Sequence, residues 1–287
     1  MINYERLRRW PIPEIRQTYA APQLILYALS LNLGQSLPNE GDLQYIYEDG
    51  LAPLPTVATV LGYPGFWMKE EGTGIDWRKV LHAEQSLEVH RTLPTNGTIV
   101  SRTTVEDIVD KGTIGAFIYT KREIRLSDTE ELLCTLRQMN ICRANGGFGG
   151  PSKASKPGRP MPQTPADEYY AHKTLPQQAL IYRLNGDFNP LHADPKIAKA
   201  AGFERPILHG LCLFGIVAYR LIVGLCAHRA KCLKQIEVRF TGPIFPGETI
   251  CINVWKVGPE QALFNASAVE RNAMILDHGF AEFSSNK

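Results

Sequence analysis

The residues best suited to chemistry lie close together in YRLNGDFNPLHADP, residues 182–195. Asp187 and His192 are five positions apart, which on an ideal helix is about 140° of rotation, so a helix would point them in different directions. Pro190 also disfavours a helical conformation at the residue before it. We therefore predict a turn from Gly186 to Pro190 that folds the Asp187 carboxyl group back toward the His192 imidazole.

A carboxyl group and an imidazole within reach of one water molecule can move protons at carbon atoms next to a carbonyl group. His209 and Gly210 begin an apolar segment, and peptide N–H groups at a helix start can stabilise negative charge developing on an oxygen atom. Glycine there lets a ligand approach the backbone closely. The combination indicates hydration chemistry. Taken singly, each residue has a structural explanation: Asp187 and Asn189 as turn formers, His192 as a half-buried histidine.

Competing chemistries lack parts in this sequence. It has no G-x-S-x-G elbow, no P-loop, no G-x-G-x-x-G after a strand and no H-E-x-x-H. A metal site from His192, Asp194 and His209 has no compact ligand motif, so we expect no metal. Asp194 is better explained as the N-cap of a short helix that begins at Pro195.

Composition excludes several classes of protein. Lys and Arg total 31 against 29 for Asp and Glu, so we expect no nucleic-acid partner. The longest apolar run, Gly210 to Cys226, carries Arg220 near its middle and predicts a buried core helix, not a membrane span. The N-terminus has charges where a signal peptide would be apolar. Six cysteines without a C-x-x-C pair suit a reducing compartment, so we predict buried thiols and a cytoplasmic protein.

The chain divides into two halves. Residues 149–166 are rich in Pro, Gly and Ser and predict a linker between domains at 1–148 and 167–287. Residues 87–100 (LEVHRTLPTNGTIV) and 236–250 (IEVRFTGPIFPGETI) resemble each other, which indicates two related domains.

After each of these two similar segments, stretches of alternating apolar and polar residues predict antiparallel β-meanders. The second half adds an apolar helix at about 211–228, which a curved sheet must enclose. The first half offers helical candidates near 13–33 and 55–61 but no equally long apolar helix, so its groove is expected to be emptier.

The segment YRLNGDFNPLHADPKIAKAAGF followed by PILHGLCLFG resembles the hydratase 2 motif of the MaoC-like, R-specific enoyl-CoA hydratases. In the first half, KVLHAEQSLEVHRTLP, VDKG and GGFGG are similar to that family's N-terminal domain. The resemblance implies an α+β double hot dog fold of two sheets, each curled about a helix. It further implies that the N-terminal domain lacks the long central helix and gives room to an acyl chain.

Carried over position by position, the resemblance implies that Asp187 and His192 hold and activate a water molecule. It implies that Asn189 orients the site and that the Gly210 N–H contacts the thioester oxygen. Four further residues match family positions that line or support the pocket: Tyr182, Glu84, Asp194 and His209. Asn185 departs from the family, which usually has a small residue there, and we interpret it as a change in the loop's hydrogen bonds.

The implied activity is reversible syn hydration of trans-2-enoyl-CoA to (3R)-3-hydroxyacyl-CoA, as in fatty-acid β-oxidation. Coenzyme A enters as part of the substrate, no other cofactor is expected, and family likeness favours a homodimer. Two alternatives remain open. One is a dehydratase or hydratase for a specialised thioester, with a steroid side chain, branched or polyketide acyl group; the other is a non-catalytic acyl-CoA-binding hot dog protein.

Overall fold

A single antiparallel sheet dominates the molecule. The computed structural model describes residues 1–35, 40–152 and 158–284. Within them, ten strands form one sheet in the order β1-β3-β4-β5-β2-β7-β10-β9-β8-β6. The strands are β1 Ile15–Tyr19, β2 Val80–Val89, β3 Gly97–Asp110, β4 Ala116–Leu126, β5 Leu132–Cys142, β6 Glu168–Lys173, β7 Leu233–Phe240, β8 Thr249–Lys256, β9 Gln261–Ala268 and β10 Ala273–Phe283.

The strand order repeats between the halves. In each half the first strand lies at the outer edge and the second strand at the centre, so β2 pairs with β7 and joins the half-sheets. The sequence similarity between 87–100 and 236–250 has a structural cause, because both segments run from the end of the second strand into the third strand of their half. This is the double hot dog arrangement that the resemblance implies.

Six α-helices accompany the sheet within the described residues. They are α1 Tyr4–Arg8, α2 Ala21–Ser30, α3 Glu40–Ile46, α4 Gln178–Tyr182, α5 Pro195–Ala200 and α6 Gly210–Cys226. The prediction of a long enclosed helix is confirmed by α6, which buries residues on every side. Its counterpart α2 has ten residues against seventeen, so the N-terminal half lacks the long central helix.

The two central helices approach each other closely. A Cβ atom added at Gly215 of α6 would lie 2.6 Å from the Tyr27 hydroxyl and 2.8 Å from Leu31. The two halves therefore share a hydrophobic core in which glycine lets α2 and the loop after it lie against α6.

One helical prediction is wrong in part. Residues 13–33 contain β1 and then α2, because Ile15–Tyr19 pairs with β3 and Pro22 fits the first turn of the helix that follows. Residues 55–61 contain a short 3₁₀ helix, Pro55–Thr59. Of the predicted linker, residues 153–157 lie outside the described residues, and the domain limits stay a prediction.

The six cysteines are all free, and the prediction of buried thiols is confirmed for five of them, whereas Cys251 is half-buried. None of the helices in the described ranges combines the length and the hydropathy needed to cross a bilayer.

Candidate active site

The segment 182–195 forms the predicted turn. Helix α4 ends at Tyr182, and Gly186 follows with a φ of 111°, a left-handed conformation that favours glycine. The Asn189 side chain accepts a hydrogen bond from the Leu191 N–H at 3.1 Å and caps a 3₁₀ turn from Pro190 to His192. These local bonds hold the loop in place without a regular helix or strand.

The turn brings three of the predicted residues together. One ligand-type atom from each of Asp187, His192 and His209 lies within 4.8 Å of the others. The His192 side chain is 8% exposed and His209 1%, whereas Asp187 is half-buried. Asp187 also accepts a hydrogen bond from the Asn189 N–H at 3.2 Å, which restrains its carboxyl group.

His192 presents one nitrogen atom to the site. Its Nδ1 lies 2.9 Å from the Ile207 carbonyl oxygen, which can only accept, so Nδ1 carries the hydrogen and Nε2 keeps its lone pair. Burial lowers the pKa of His192, opposed by the Ile207 bond and by Asp187. The result is a neutral imidazole that can accept a proton at Nε2.

His209 and Tyr182 stand behind this pair. The His209 ring stacks on His192 with 3.7 Å between centroids, and its Nε2 lies 3.3 Å from the Asp187 carbonyl oxygen. Burial, followed by the charge of a protonated His192, lowers the pKa of His209 to about 2. Tyr182 is fully buried 4.9 Å from the His209 ring, and burial raises the pKa of its hydroxyl well above the usual value. Both residues therefore act as uncharged packing partners.

The same cluster has the residue types of a metal site, but its geometry is unsuited to one. The planes of the two imidazoles are only 27° apart. Each nitrogen lone pair lies in the plane of its ring, and the planes of these stacked rings stay well apart near the nitrogens, so one ion about 2.0 Å from both nitrogens cannot lie in both planes. Asp194, the third ligand considered from the sequence, caps helix α5 instead.

Gly210 is the first residue of α6, directly after His209. The His209 carbonyl accepts hydrogen bonds from Cys212 and Leu213, whereas the Gly210 N–H has no acceptor within its own helix. A Cβ atom at Gly210 would meet the Phe240 ring at 3.5 Å, an ordinary contact. The helix start can therefore donate to a ligand oxygen beside the Asp187/His192 pair.

Two predicted residues have roles in the framework. Asp194 accepts a hydrogen bond from the Lys196 N–H at 2.8 Å and is the N-cap of α5, as predicted. Glu84 lies opposite Arg239 where the half-sheets meet, with oxygen–nitrogen distances of 2.9 and 2.7 Å. Its carboxylate is thus committed to the seam between β2 and β7.

Asn185 ties the loop to the other half of the molecule. Its side-chain amide donates to Ser30 Oγ in α2 and to the Tyr182 carbonyl, both at 2.9 Å. Sequence reasoning missed Ser30 and Ile207, because no local pattern reports a contact made across the chain. It also missed Tyr63, whose pKa is raised to about 12 by partial burial and then by the nearby Asp187.

Comparison with known proteins assigns the chain to a family. Residues 17–144 match the MFE-2 hydratase 2 N-terminal domain, and residues 156–277 match the MaoC like domain. An enoyl-CoA hydratase of Mycobacterium tuberculosis is 36% identical over 271 residues, covering 92% of this chain and 93% of the relative. The chain belongs to the MaoC-like hydratase 2 family.

Some relatives are much longer than this chain. Mouse peroxisomal multifunctional enzyme type 2 is 33% identical over 279 residues, covering 94% of this chain. The chain spans 37% of that enzyme's length. It corresponds to one part of the larger protein.

Solved structures agree with the observed fold. A crystal structure of a MaoC-like dehydratase from Phytophthora capsici has a TM-score of 0.87 and 30% identity, with each chain covered completely. A second Mycobacterium tuberculosis protein, described as having a double hotdog fold, has a TM-score of 0.57 and 14% identity and covers 96% of this chain and 94% of its own. The second likeness shows the fold alone.

Proposed function

We propose that this hydratase 2 family member is an R-specific enoyl-CoA hydratase, adding water reversibly to a trans-2-enoyl-CoA. The observation that carries the proposal is the Nε2 lone pair of a neutral His192, beside the Asp187 carboxyl group and the Gly210 N–H, which has no acceptor within helix α6. The enoyl-CoA hydratases among its relatives support the same reaction class.

In the proposed mechanism, a water molecule lies between Asp187 and His192. The pair accepts one proton from water as the oxygen bonds to C3, and it delivers one proton to C2 on the same face. Negative charge that develops on the thioester oxygen is stabilised by the Gly210 N–H. The pair ends with the protons that it began with, so we assign acid and base roles to the pair jointly.

The other residues are assigned positioning roles. Asn189 restrains the turn, and His209 and Tyr182 fill the space behind His192. Asp194 and Glu84 stabilise the helix and the seam that hold the site. A non-catalytic acyl-CoA-binding function would not require a neutral, proton-accepting His192 beside the Asp187 carboxyl group.

The test is turnover of trans-2-enoyl-CoAs, measured as loss of enoyl thioester absorbance, followed by chiral analysis of the product. We expect (3R)-3-hydroxyacyl-CoA. A purified, folded protein that hydrates no enoyl-CoA of any acyl type, or that forms the (3S) product, would show the proposal to be wrong.

We further propose a cytoplasmic homodimer. The six free cysteines support a reducing compartment. Strands β1 and β6 form the two edges of the sheet, and an open edge is a surface on which a second copy can pair. Light scattering and cell fractionation test these two statements separately.

A further inference from the structure

A small cleft lies in the N-terminal half, between the inner face of the sheet and the loop Tyr63–Met68. The cavity volume is about 40 Å³. Since one water needs roughly 10–15 Å³ by this measure, the cleft has room for about three waters, close to the size of one carboxylate group.

The strands contribute a group of polar side chains to this cleft, whereas the loop contributes apolar ones such as Phe66, Trp67 and Met68. On β4, Thr120 and Arg122 face inward between Ile118 and Ile124, which are fully buried. Further polar side chains come from the neighbouring strands: Gln85, Thr103, Gln138 and Asn140.

Gln85 donates to the Ser86 carbonyl and Gln138 to the Asn140 side chain, whereas the Thr103 hydroxyl and Arg122 Nη1 are buried without a hydrogen-bond partner among the described residues. A plain alkyl chain in the cleft would leave these last two groups unsatisfied, which costs free energy.

Arg122 is the main charge in the cleft. It is 9% exposed, and its Nη2 donates to the carbonyl oxygens of Ala58 at 3.1 Å and Thr59 at 2.7 Å. Its Nη1 is buried and has no hydrogen-bond partner among the described residues. Burial lowers the pKa of the guanidinium to about 10, which still leaves a cation at neutral pH.

No carboxylate in the described ranges forms an ion pair with Arg122. The partners of this buried cation are two carbonyl oxygens and the face of the Tyr63 ring, none of which carries a full negative charge, so a bound anion would offset the cost of burying the guanidinium. An arginine also presents paired N–H groups in the geometry that a carboxylate accepts.

Tyr63 connects the cleft with the catalytic pair. Its ring centroid is 5.8 Å from Arg122 Cζ, and the pKa of its hydroxyl is raised by burial and, to a smaller extent, by the charge of Asp187. Tyr63 is 41% exposed, whereas Arg122 is 9% exposed, so Tyr63 lies at the mouth and Arg122 at the bottom.

We propose that this cleft receives the far end of the acyl chain and that its substrate ends in a carboxylate held by Arg122. This inference rests on the proposed hydratase function and narrows its substrate class to enoyl-CoAs with an acidic end. The carboxylate accepts from Arg122 Nη1 and from the side-chain hydroxyl and amide donors around it.

The experiment compares two series of trans-2-enoyl-CoAs of matched length, one ending in a carboxylate and one in the isosteric isopropyl group. We expect kcat/KM of the 287-residue chain to favour the carboxylate by roughly tenfold to a hundredfold at the best length, as for a hydrogen bond to a charged group. Arg122→Met should abolish the preference. Arg102→Met is the matched control, because Arg102 is half-exposed and pairs with Glu14, and it should leave the ratio unchanged.

Thr120→Val, an isosteric change, covers the case in which Arg122→Met fails to fold; it should reduce the preference several-fold. Calorimetric binding of saturated acyl-CoAs with the same two ends gives a readout that does not need turnover. Carboxylate-selective binding without hydration of any ester would support the cleft and refute the hydratase function. Hydration with equal or better rates for the isopropyl end at every length would overturn the inference and leave the hydratase function intact.

Discussion

The imidazole rings of His192 and His209 stack at 3.7 Å with 27° between their planes. Two protonated imidazoles at this distance would repel each other in a buried site, so stacking favours a pair in which both are neutral. His192 is fixed as the Nδ1–H tautomer by Ile207. The stack therefore supports the proton-accepting state of His192 that the proposed reaction needs.

The buried histidines predict a loss of stability in mild acid. His172 and His209 have their pKa values lowered to about 4 and about 2, mainly by burial. Below an unfolded-state pKa of about 6.5, the unfolded chain binds protons that the folded chain does not. Stability is thus fully present above about pH 6.5 and decreases as pH falls, by roughly 1.4 kcal/mol per pH unit for each such histidine.

Urea unfolding at several pH values between about 5 and 7 measures this slope, in a range where carboxylates contribute little. His209→Gln should flatten the slope by about one proton, whatever its effect on absolute stability. An unfolding free energy that is independent of pH in this window would contradict the neutral, buried state of these histidines.

The Gly210 N–H can be removed by a single substitution, which tests whether it stabilises the thioester oxygen. His209 already has the extended conformation that a residue before proline requires, and the first position of a helix accepts proline. Gly210→Pro should therefore fold but lower kcat by about 10²–10³, as for loss of one oxyanion donor. Gly210→Ala is the control, because it keeps the N–H and places its Cβ at an ordinary 3.5 Å from Phe240. Equal kcat values for the two variants would show that this N–H does not stabilise the reacting oxygen.

Asp194 is expected to contribute to stability and not to catalysis. As the N-cap of α5, its change to Ala should lower the free energy of unfolding by about 1 kcal/mol, whereas Asp194→Ser should retain most of it. Both variants should keep a kcat near that of the wild type at a temperature where they are folded. A large loss of kcat with unchanged stability would mean that Asp194 contacts the reacting groups.

The Glu84–Arg239 pair predicts an effect on stability without an effect on chemistry. Both side chains are about one-third exposed, at 33% and 36%, so a double-mutant cycle with Glu84→Gln and Arg239→Met should give a coupling energy of about 0.5–1 kcal/mol. The single variants should keep their kcat. A coupling energy near zero together with a raised KM would show that Glu84 contributes to substrate binding and not to the pairing of β2 with β7.

Much of this site could be predicted from sequence because it is local. The turn at Gly186, the Asp194 cap and helix α6 each depend on residues within a few positions of one another, and all three are present. The sequence similarity between the second strands predicted two related halves, because equivalent strands share the same alternation of apolar and polar residues.

The remainder depends on pairing between distant segments. Residues 15–19 form a strand because β3 lies beside them, which no local pattern reveals. Asn185 contacts Ser30, 155 positions away, and Arg122 is set apart from other arginines only by burial. An alternating strand predicts that Arg122 faces one side, but not that this side is enclosed.

The central claim is that Asp187 and His192 act together on water, and paired single-site variants test it most directly. Asp187→Asn and His192→Gln retain size and hydrogen bonding but remove the proton-accepting groups. We predict that each lowers kcat for enoyl-CoA hydration by about 10²–10⁴, with saturated acyl-CoA binding within a few-fold of the wild type. A folded variant at either position that hydrates enoyl-CoA at the wild-type rate would contradict the account.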